Sequence, residues 1–203
     1  MQVAVSNKEI VVIDTETLDT SPSAVVLTVS AVRVSLDTGL SLPVNDGVLN
    51  EVGENILHVM PNVTEQLLSG RTTSAGTIAW WNGQSNQAKQ SVLSGSTMLL
   101  ADALALLTAF IGDAQVFCRG TDFDPPILAS LYKSAGLKAP WKYNQVRDVR
   151  TFIDALSGGT KGYLENWEQP SWLVPHHSLH DCIRDAMQMV EVSKGQCVTV
   201  PMD

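Results

Sequence analysis

EIVVIDTETLDT, residues 9 to 20, is the stretch on which the reading of this chain turns. Its first part, Glu9 to Ile13, is short, apolar and rich in β-branched residues, the pattern of a buried strand. Asp14 and Glu16 come directly after it, and residues two apart on a strand project to the same side. Both carboxylates can therefore converge on one point beside the strand end. Two carboxylates about 4 Å apart repel by roughly 4 kcal/mol at an effective dielectric of about 20, so such a pair calls for a cation or a shared proton. Read alone, the segment also fits a solvated strand-end turn, since Asp and Thr are ordinary turn residues.

Beyond it, Ala24 to Val34 (AVVLTVSAVRV) reads as a second strand, and a third falls between Gly47 and Met60, where Gly53 and Pro61 break the apolar pattern. From Asn62 the pattern turns helical: TEQLLSG, TIAWWNGQSNQAKQSVL and TMLLADALALLTAFIG carry apolar residues three and four apart. Ala114 to Cys118 is a short strand, Asp124 to Ala135 a helix, Tyr143 to Val146 a further strand and Asp148 to Leu156 a helix. The last helix runs from Ser178 to about Val192. Strands first, helices next, then strand and helix alternating describe an α/β fold with a mixed central sheet flanked by helices. With 203 residues at 44% hydrophobic composition, one domain is expected, with its core over about 8–193 and a short tail from Gly195 to Asp203. Ser157 to Gly162 (SGGTKG) reads as a loop.

The formal charge of -8 counts against broad electrostatic capture of a phosphate backbone. A nucleic-acid substrate would need divalent metal to offset local repulsion. Cys118, Cys182 and Cys197 are odd in number and unrelated in spacing, and the first thirty residues lack a secretory pattern, so a reduced cytoplasmic setting is expected. No apolar run reaches the roughly 20 residues that span a bilayer.

Two further segments carry chemistry. In GTDFDPPIL, Pro125 next to Asp124 marks a helix start and makes Asp124 a natural N-cap. A carboxylate there, at the C-terminal edge of the sheet, can also meet Asp14 and Glu16; Asp122 is a weaker competitor. In PHHSLHDCIRDAM the spacing His, four residues, Asp occurs twice, as His176 with Asp181 and as His180 with Asp185. Ser178 followed by Asp181 resembles a capping box, which starts the helix at Ser178 and leaves His176 in the loop, free to swing toward Asp181. His180 and Asp185 would sit on one helix roughly 140° apart around its axis and share no focus, which favours the first pair. The plain alternative is a capping Asp181 with surface histidines.

Asp14 and Glu16 in the first strand, Asp124 in mid-chain and His176 before Asp181 resemble, in order and spacing, the three exonuclease motifs of the DEDDh family. That likeness covers roughly Ile10 to Val192. TIAWWNGQS and YNQVRDVRT are similar to a branch of small phage and bacterial enzymes that includes mycobacterial-type exoribonucleases. Ser178 and Cys182 stand where the family more often has alanine.

The resemblance implies an RNase H-like fold and a metal-dependent 3′-to-5′ exonuclease that releases nucleoside 5′-monophosphates from nucleic-acid 3′ ends. It implies that Asp14, Glu16, Asp124 and Asp181 hold two Mg²⁺ or Mn²⁺ ions, hard cations that suit oxygen ligands, and that His176 is the general base. Thr15, Leu18, Phe123 and Trp81 are the candidate substrate contacts; Trp80 and Trp81 lie about 100° apart on a helix, so at most one reaches the substrate. A non-catalytic binding module of this fold, or a two-metal phosphodiesterase cutting internally or acting on small nucleotides, are the alternatives. RNA against DNA preference and assembly as a homodimer stay open.

Overall fold

Residues 9–42, 44–45, 48–49 and 53–194 are described by the computed structural model of the chain. The tail expected from Gly195 to Asp203, with Cys197, lies outside them, as does Gly47. The opening apolar run forms β1 (Glu9–Thr17), which continues through Asp14 and Glu16 instead of ending at Ile13. Its partner explains the extension. β2 (Val26–Ser35) pairs with it antiparallel, Asp14 opposite Ser30 and Glu16 opposite Thr28, and ladder pairing overrides the turn preference of Asp and Thr.

β3 (Val44–Asn45) and β4 (Val48–Leu49) form a small separate ribbon. β5 (Ile56–Pro61) is the third strand and pairs antiparallel with β2. The helical middle resolves into α1 (Val63–Leu68), α2 (Ala75–Asn82), α3 (Asn86–Leu93) and α4 (Leu100–Ile111). Between α2 and α3 the chain breaks at Gly83, and the Ser85 side chain accepts from Ala88 N to start the next helix. Thr97 and Met98, expected at a helix start, instead form β6 (Thr97–Met98) beside the end of β5.

β7 (Gln115–Cys118) and α5 (Asp124–Ser134) come next. The strand expected at Tyr143 to Val146 is a turn: the Gln145 side chain accepts from Lys142 N at 2.7 Å, and Gln145 N donates to Lys142 O at 2.9 Å. The strand comes just after it, as the two-residue β8 (Arg147–Asp148). Asp148 then caps α6 (Val149–Ser157), and α7 (Ser178–Lys194) closes the described chain.

The six main strands lie in the order β6-β5-β2-β1-β7-β8, with β7 parallel to β1 and β8 parallel to β7. Helices cover both faces, the mixed α/β arrangement expected from the chain. Ile10, Val12 and Phe117 pack with α6 and α7, while Val11, Ile13, Val116 and Cys118 pack with α4 and α5. Burial on both faces is why β1 reads as an unbroken apolar run. By strand alternation, Asp14 and Glu16 continue the face of Ile10 and Val12, toward α7, and Thr15 continues the face of Val11 and Ile13, toward α5. α7 buries Leu179, Ile183, Met189 and Val190. At roughly 1.5–3 kcal/mol per large apolar side chain fully buried, that contact fixes the helix against the sheet.

Candidate active site

Three elements bring acids to the end of β1. Asp124 opens α5, but it is the first helical residue and not its cap: Phe123 holds the cap position, and no side chain caps the helix. The expected N-cap role fails because the carboxylate is engaged across the sheet. Its Oδ1 accepts from Thr15 N at 3.0 Å and from Thr15 Oγ1 at 2.6 Å. Thr15, expected as a substrate contact, thus spends both donors on Asp124 and sets the angle between β1 and α5.

On the opposite face α7 starts at Ser178, as the Ser178 and Asp181 spacing suggested, though not through a capping box. The Ser178 hydroxyl bonds Thr28 Oγ1 at 2.8 Å and Ser30 Oγ at 2.7 Å, tying the helix start to β2. Asp181 reaches back instead, its Oδ2 accepting from His176 N at 3.1 Å. His176 adopts a left-handed backbone with φ of 62°, a conformation rare for a non-glycine residue and concentrated at functional sites. Glu16, His176 and Asp181 each present a ligand atom within 4.8 Å of one another.

The second histidine–aspartate pair goes elsewhere. Nδ1 of His180 accepts from Val174 N at 2.9 Å, and its ring stacks on His177 with centroids 4.1 Å apart. Asp185 is gripped by Arg119 at 3.0 and 2.9 Å and by Arg184. Arg184 also holds Asp181 Oδ1 at 2.5 Å.

The electrostatics of the cluster are dominated by burial. It raises the Asp14 carboxyl well above the usual range, and the charges of Asp124, Glu16, Asp181 and Asp185 raise it further. Burial, then Asp181 and Asp124, do the same to Glu16. Asp124 is pushed up by burial to about 7 despite the opposing hydrogen bonds from Thr15. Burial raises Asp181 too, with Arg184 opposing. Like charges this close cannot all ionise without a cation.

Asp14, Glu16, Asp124, His176 and Asp181 all line one cleft of about 680 Å³, joined by Phe123 and Trp80. Trp81, expected as a substrate contact, is 6% exposed, and its Nε1 donates to Thr17 O at 2.9 Å inside a small apolar cluster. Its neighbour Trp80 is 44% exposed and meets the His176 ring edge-on at 4.8 Å. Leu18 packs into the same apolar cluster as Trp81 and is absent from the cleft wall among the described residues.

A family model described as the 3′-5′ exoribonuclease Rv2179c-like domain matches residues 9–193. The chain belongs to this family. An exodeoxyribonuclease of Enterobacteria phage T4 is 29% identical over 148 residues, covering 59% of this chain and 63% of the phage protein, so under two thirds of that relative is spanned. The nuclease domain of 3′hExo, a DEDDh family member solved with rAMP, superposes with a TM-score of 0.63 at 13% identity over 96% of each chain. E. coli exonuclease I, solved with a dT13 oligonucleotide, gives a TM-score of 0.54 at 13% identity, covering 92% of this chain and 40% of that one. At these identities the likeness is one of fold, the RNase H-like sheet of DEDDh nucleases.

The acidic motifs of this Rv2179c-like domain leave the basic side of the cleft unmarked. Arg119, Arg150 and Arg184 sit at or beside the cleft. Arg184 shares the IRD segment with Asp185, three residues after Asp181, a spacing that places it beside Asp181 on a helix. Arg119 lies just past the end of β7, the same sheet edge that brings β1 its acids. Arg184 was readable from helix spacing and Arg119 from the end of a strand.

Proposed function

We propose that this chain is a metal-dependent 3′-to-5′ exonuclease that hydrolyses the terminal phosphodiester bond of a nucleic-acid strand and releases nucleoside 5′-monophosphates. One observation carries the reading: Glu16, His176 and Asp181 offer ligand atoms within 4.8 Å of one another in the cleft that Asp14 and Asp124 also line. Glu16 and Asp181, with Asp14 and Asp124, offer carboxylate oxygens, the donors hard divalent cations take, His176 adds a ring nitrogen, and the raised carboxyl pKa values mark a cluster that needs positive charge. Asp14, Glu16, Asp124 and Asp181 would hold two Mg²⁺ or Mn²⁺ ions, which when bound supply charge that polarises phosphate oxygens and eases deprotonation of water.

The chain's own residues do the rest. A ring nitrogen of His176 takes the proton of the attacking water, and Trp80 against the ring edge limits how far the imidazole can swing. Thr15 holds Asp124 at a fixed angle. Phe123 and Trp80 offer aromatic faces to the terminal bases, Trp80 taking the part first given to Trp81. The family description names an exoribonuclease and the phage relative an exodeoxyribonuclease, so RNA and DNA are both substrates to try. Among the described residues no helix is long and apolar enough to cross a membrane; the free buried thiols of Cys118 and Cys182 support a reducing, cytoplasmic setting.

The test is digestion of 5′-labelled RNA and DNA oligonucleotides with Mg²⁺, Mn²⁺ or EDTA. A ladder shortening from the 3′ end, with mononucleotide product and no activity in EDTA, is expected. Internal cuts, or a ladder that survives EDTA, would overturn the reading.

A further inference from the structure

Cations are scarce around the cleft of a chain whose formal charge is -8. Arg119 and Arg150 are the arginines on its wall among the described residues. Nε of Arg119 is bound to Asp185 and its Nη1 donates to Gly162 O at 2.8 Å. Arg150 differs: among the described residues no hydrogen bond or ion pair engages its guanidinium. It belongs to YNQVRDVRT, and the rest of that motif explains its placement. Asp148 Oδ2 accepts from Gly120 N at 2.9 Å, while Oδ1 accepts from Thr151 N at 2.7 Å and Thr151 Oγ1 at 2.9 Å, locking the loop after β7 to the start of α6.

Arg150 is then clasped between two glycines. A Cβ on Gly162 would stand 2.5 Å from Arg150 Cβ and 2.6 Å from its Cγ, and one on Gly120 would stand 3.1 Å from its Nη1. Both glycines have positive φ, 70° and 102°, so the backbone can approach a side chain this closely only because they carry none. Asp122 Oδ1 lies 3.4 Å from the same Gly120 point, an acid on the same wall. On the same wall Arg119 is already committed: its side chain is 7% exposed and its guanidinium lies over the Tyr163 ring at 3.9 Å, which leaves Arg150 as the accessible cation.

We propose that Arg150 binds a phosphate of the nucleic-acid strand other than the one undergoing hydrolysis. This rests on the exonuclease reading above. The reacting phosphate belongs with the acids of β1, α5 and α7, whereas Arg150 stands on α6, which supplies none of them. The planar guanidinium fork matches a phosphate bidentately. A subsite for a second phosphate makes the enzyme prefer a polynucleotide over a single ester and lets an acidic protein hold an anionic chain.

The experiment separates binding from cleavage. Affinity for a fluorescent single-stranded oligonucleotide is measured by anisotropy with Ca²⁺ in an Asp14→Asn background, and turnover of the p-nitrophenyl ester of thymidine 5′-monophosphate, which has one phosphodiester, is measured in the wild-type background. Arg150→Met, which keeps an apolar stem against Gly162, should weaken oligonucleotide binding roughly tenfold, the scale of one charge-assisted hydrogen bond. It should also flatten the slope of log affinity against log salt by about 0.7, one phosphate contact on a single strand. Ester turnover should fall by far less than oligonucleotide affinity, Arg150→Lys should keep most of the affinity, and Asp122→Asn should tighten it. Unchanged affinity and salt slope in Arg150→Met would overturn the proposal, and so would an equal loss on the ester. A wild-type protein that cleaves neither the ester nor the 5′-labelled oligonucleotides of the digestion test would sink the exonuclease reading, while the binding arm still decides Arg150.

Discussion

At the scale of single residues, the site makes its strongest demands on charge. Asp14→Asn and Asp181→Asn should each abolish hydrolysis while the circular dichroism spectrum stays native, because each removes a cleft carboxylate and not a packing contact. Near wild-type turnover in either variant would remove that residue from the site. His176→Ala should lower turnover by roughly 10²- to 10⁴-fold, the range for losing a general base, whereas His180→Ala should chiefly cost stability, since His180 accepts from Val174 N and stacks on His177. The two tryptophans should divide in the same way. Trp81→Ala should cost about 3–5 kcal/mol in denaturant unfolding, the scale of an emptied aromatic core site, and Trp80→Ala should lower activity with little change in midpoint. That Asp14 and Glu16 share one face of β1, and that Asp181 lies in the first turn of a helix, was legible in the sequence because strand alternation and helix starts place side chains without knowledge of the rest of the fold. Which of two adjacent tryptophans faces inward was not, because that depends on where β2 and α3 lie. Leu18 failed for the same reason: it comes after the acids in sequence but turns into the cluster formed by Leu27, Trp81, Ala88 and Val92.

Between elements, the sheet edge near the site is completed by a side chain. β2 pairs with β1 from Val26 onward, but its pairing with β5 extends only over Val29 to Val32. The uncovered backbone of Val26 is met by Gln66 of α1, whose Oε1 accepts from Val26 N and whose Nε2 donates to Val26 O, each at 2.8 Å. Gln66 is fully buried and copies a strand's donor and acceptor. Gln66→Leu fills the space but orphans both backbone groups, at about 1–3 kcal/mol each, so unfolding by urea should show a loss of roughly 2–5 kcal/mol with an unchanged m-value. A loss under about 0.5 kcal/mol would mean that water replaces the amide and that the edge needs no partner. Nothing in TEQLLSG announces this: a glutamine between Glu65 and Leu67 reads as a solvated helix position, and only the short reach of β5 gives it a purpose. The extension of β1 through Asp14 and Glu16 was equally out of reach, because the ladder with Thr28 and Ser30 is a long-range fact. The start of α7 at Ser178 was readable, yet the hydroxyl that looked like a cap is spent on Thr28 and Ser30.

For the whole molecule, the acid cluster links stability to pH and to metal. Asp14, Glu16, Asp124 and Asp181 all have carboxyl pKa values raised above the ordinary range, Asp124 to about 7, with burial the first cause in each. In the unfolded chain the same groups titrate near about 4. Between those limits the native state binds more protons than the unfolded one, so stability is full below about pH 4 and falls as pH rises through the native values. The metal-free protein should therefore melt at a lower temperature at pH 8 than at pH 5.5. Mg²⁺ or Mn²⁺ must displace the retained protons, so their stabilising effect should be small at pH 5.5 and large at pH 8. A ligand at about 100 times its Kd adds roughly 2.7 kcal/mol, which for a chain of this size is a rise of about 5–10 °C. Asp14→Asn supplies the control. It removes one repelling carboxylate, so the metal-free variant should melt higher than wild type at pH 8, and most of the metal-dependent rise should vanish with the lost ligand. The wild-type minus variant difference, tracked from pH 5.5 to 8 by calorimetry, isolates the cluster from every other titrating group. A difference that stays flat across that range, or a metal effect equal at both ends, would mean that these acids ionise freely in the folded protein and that their burial has been misjudged.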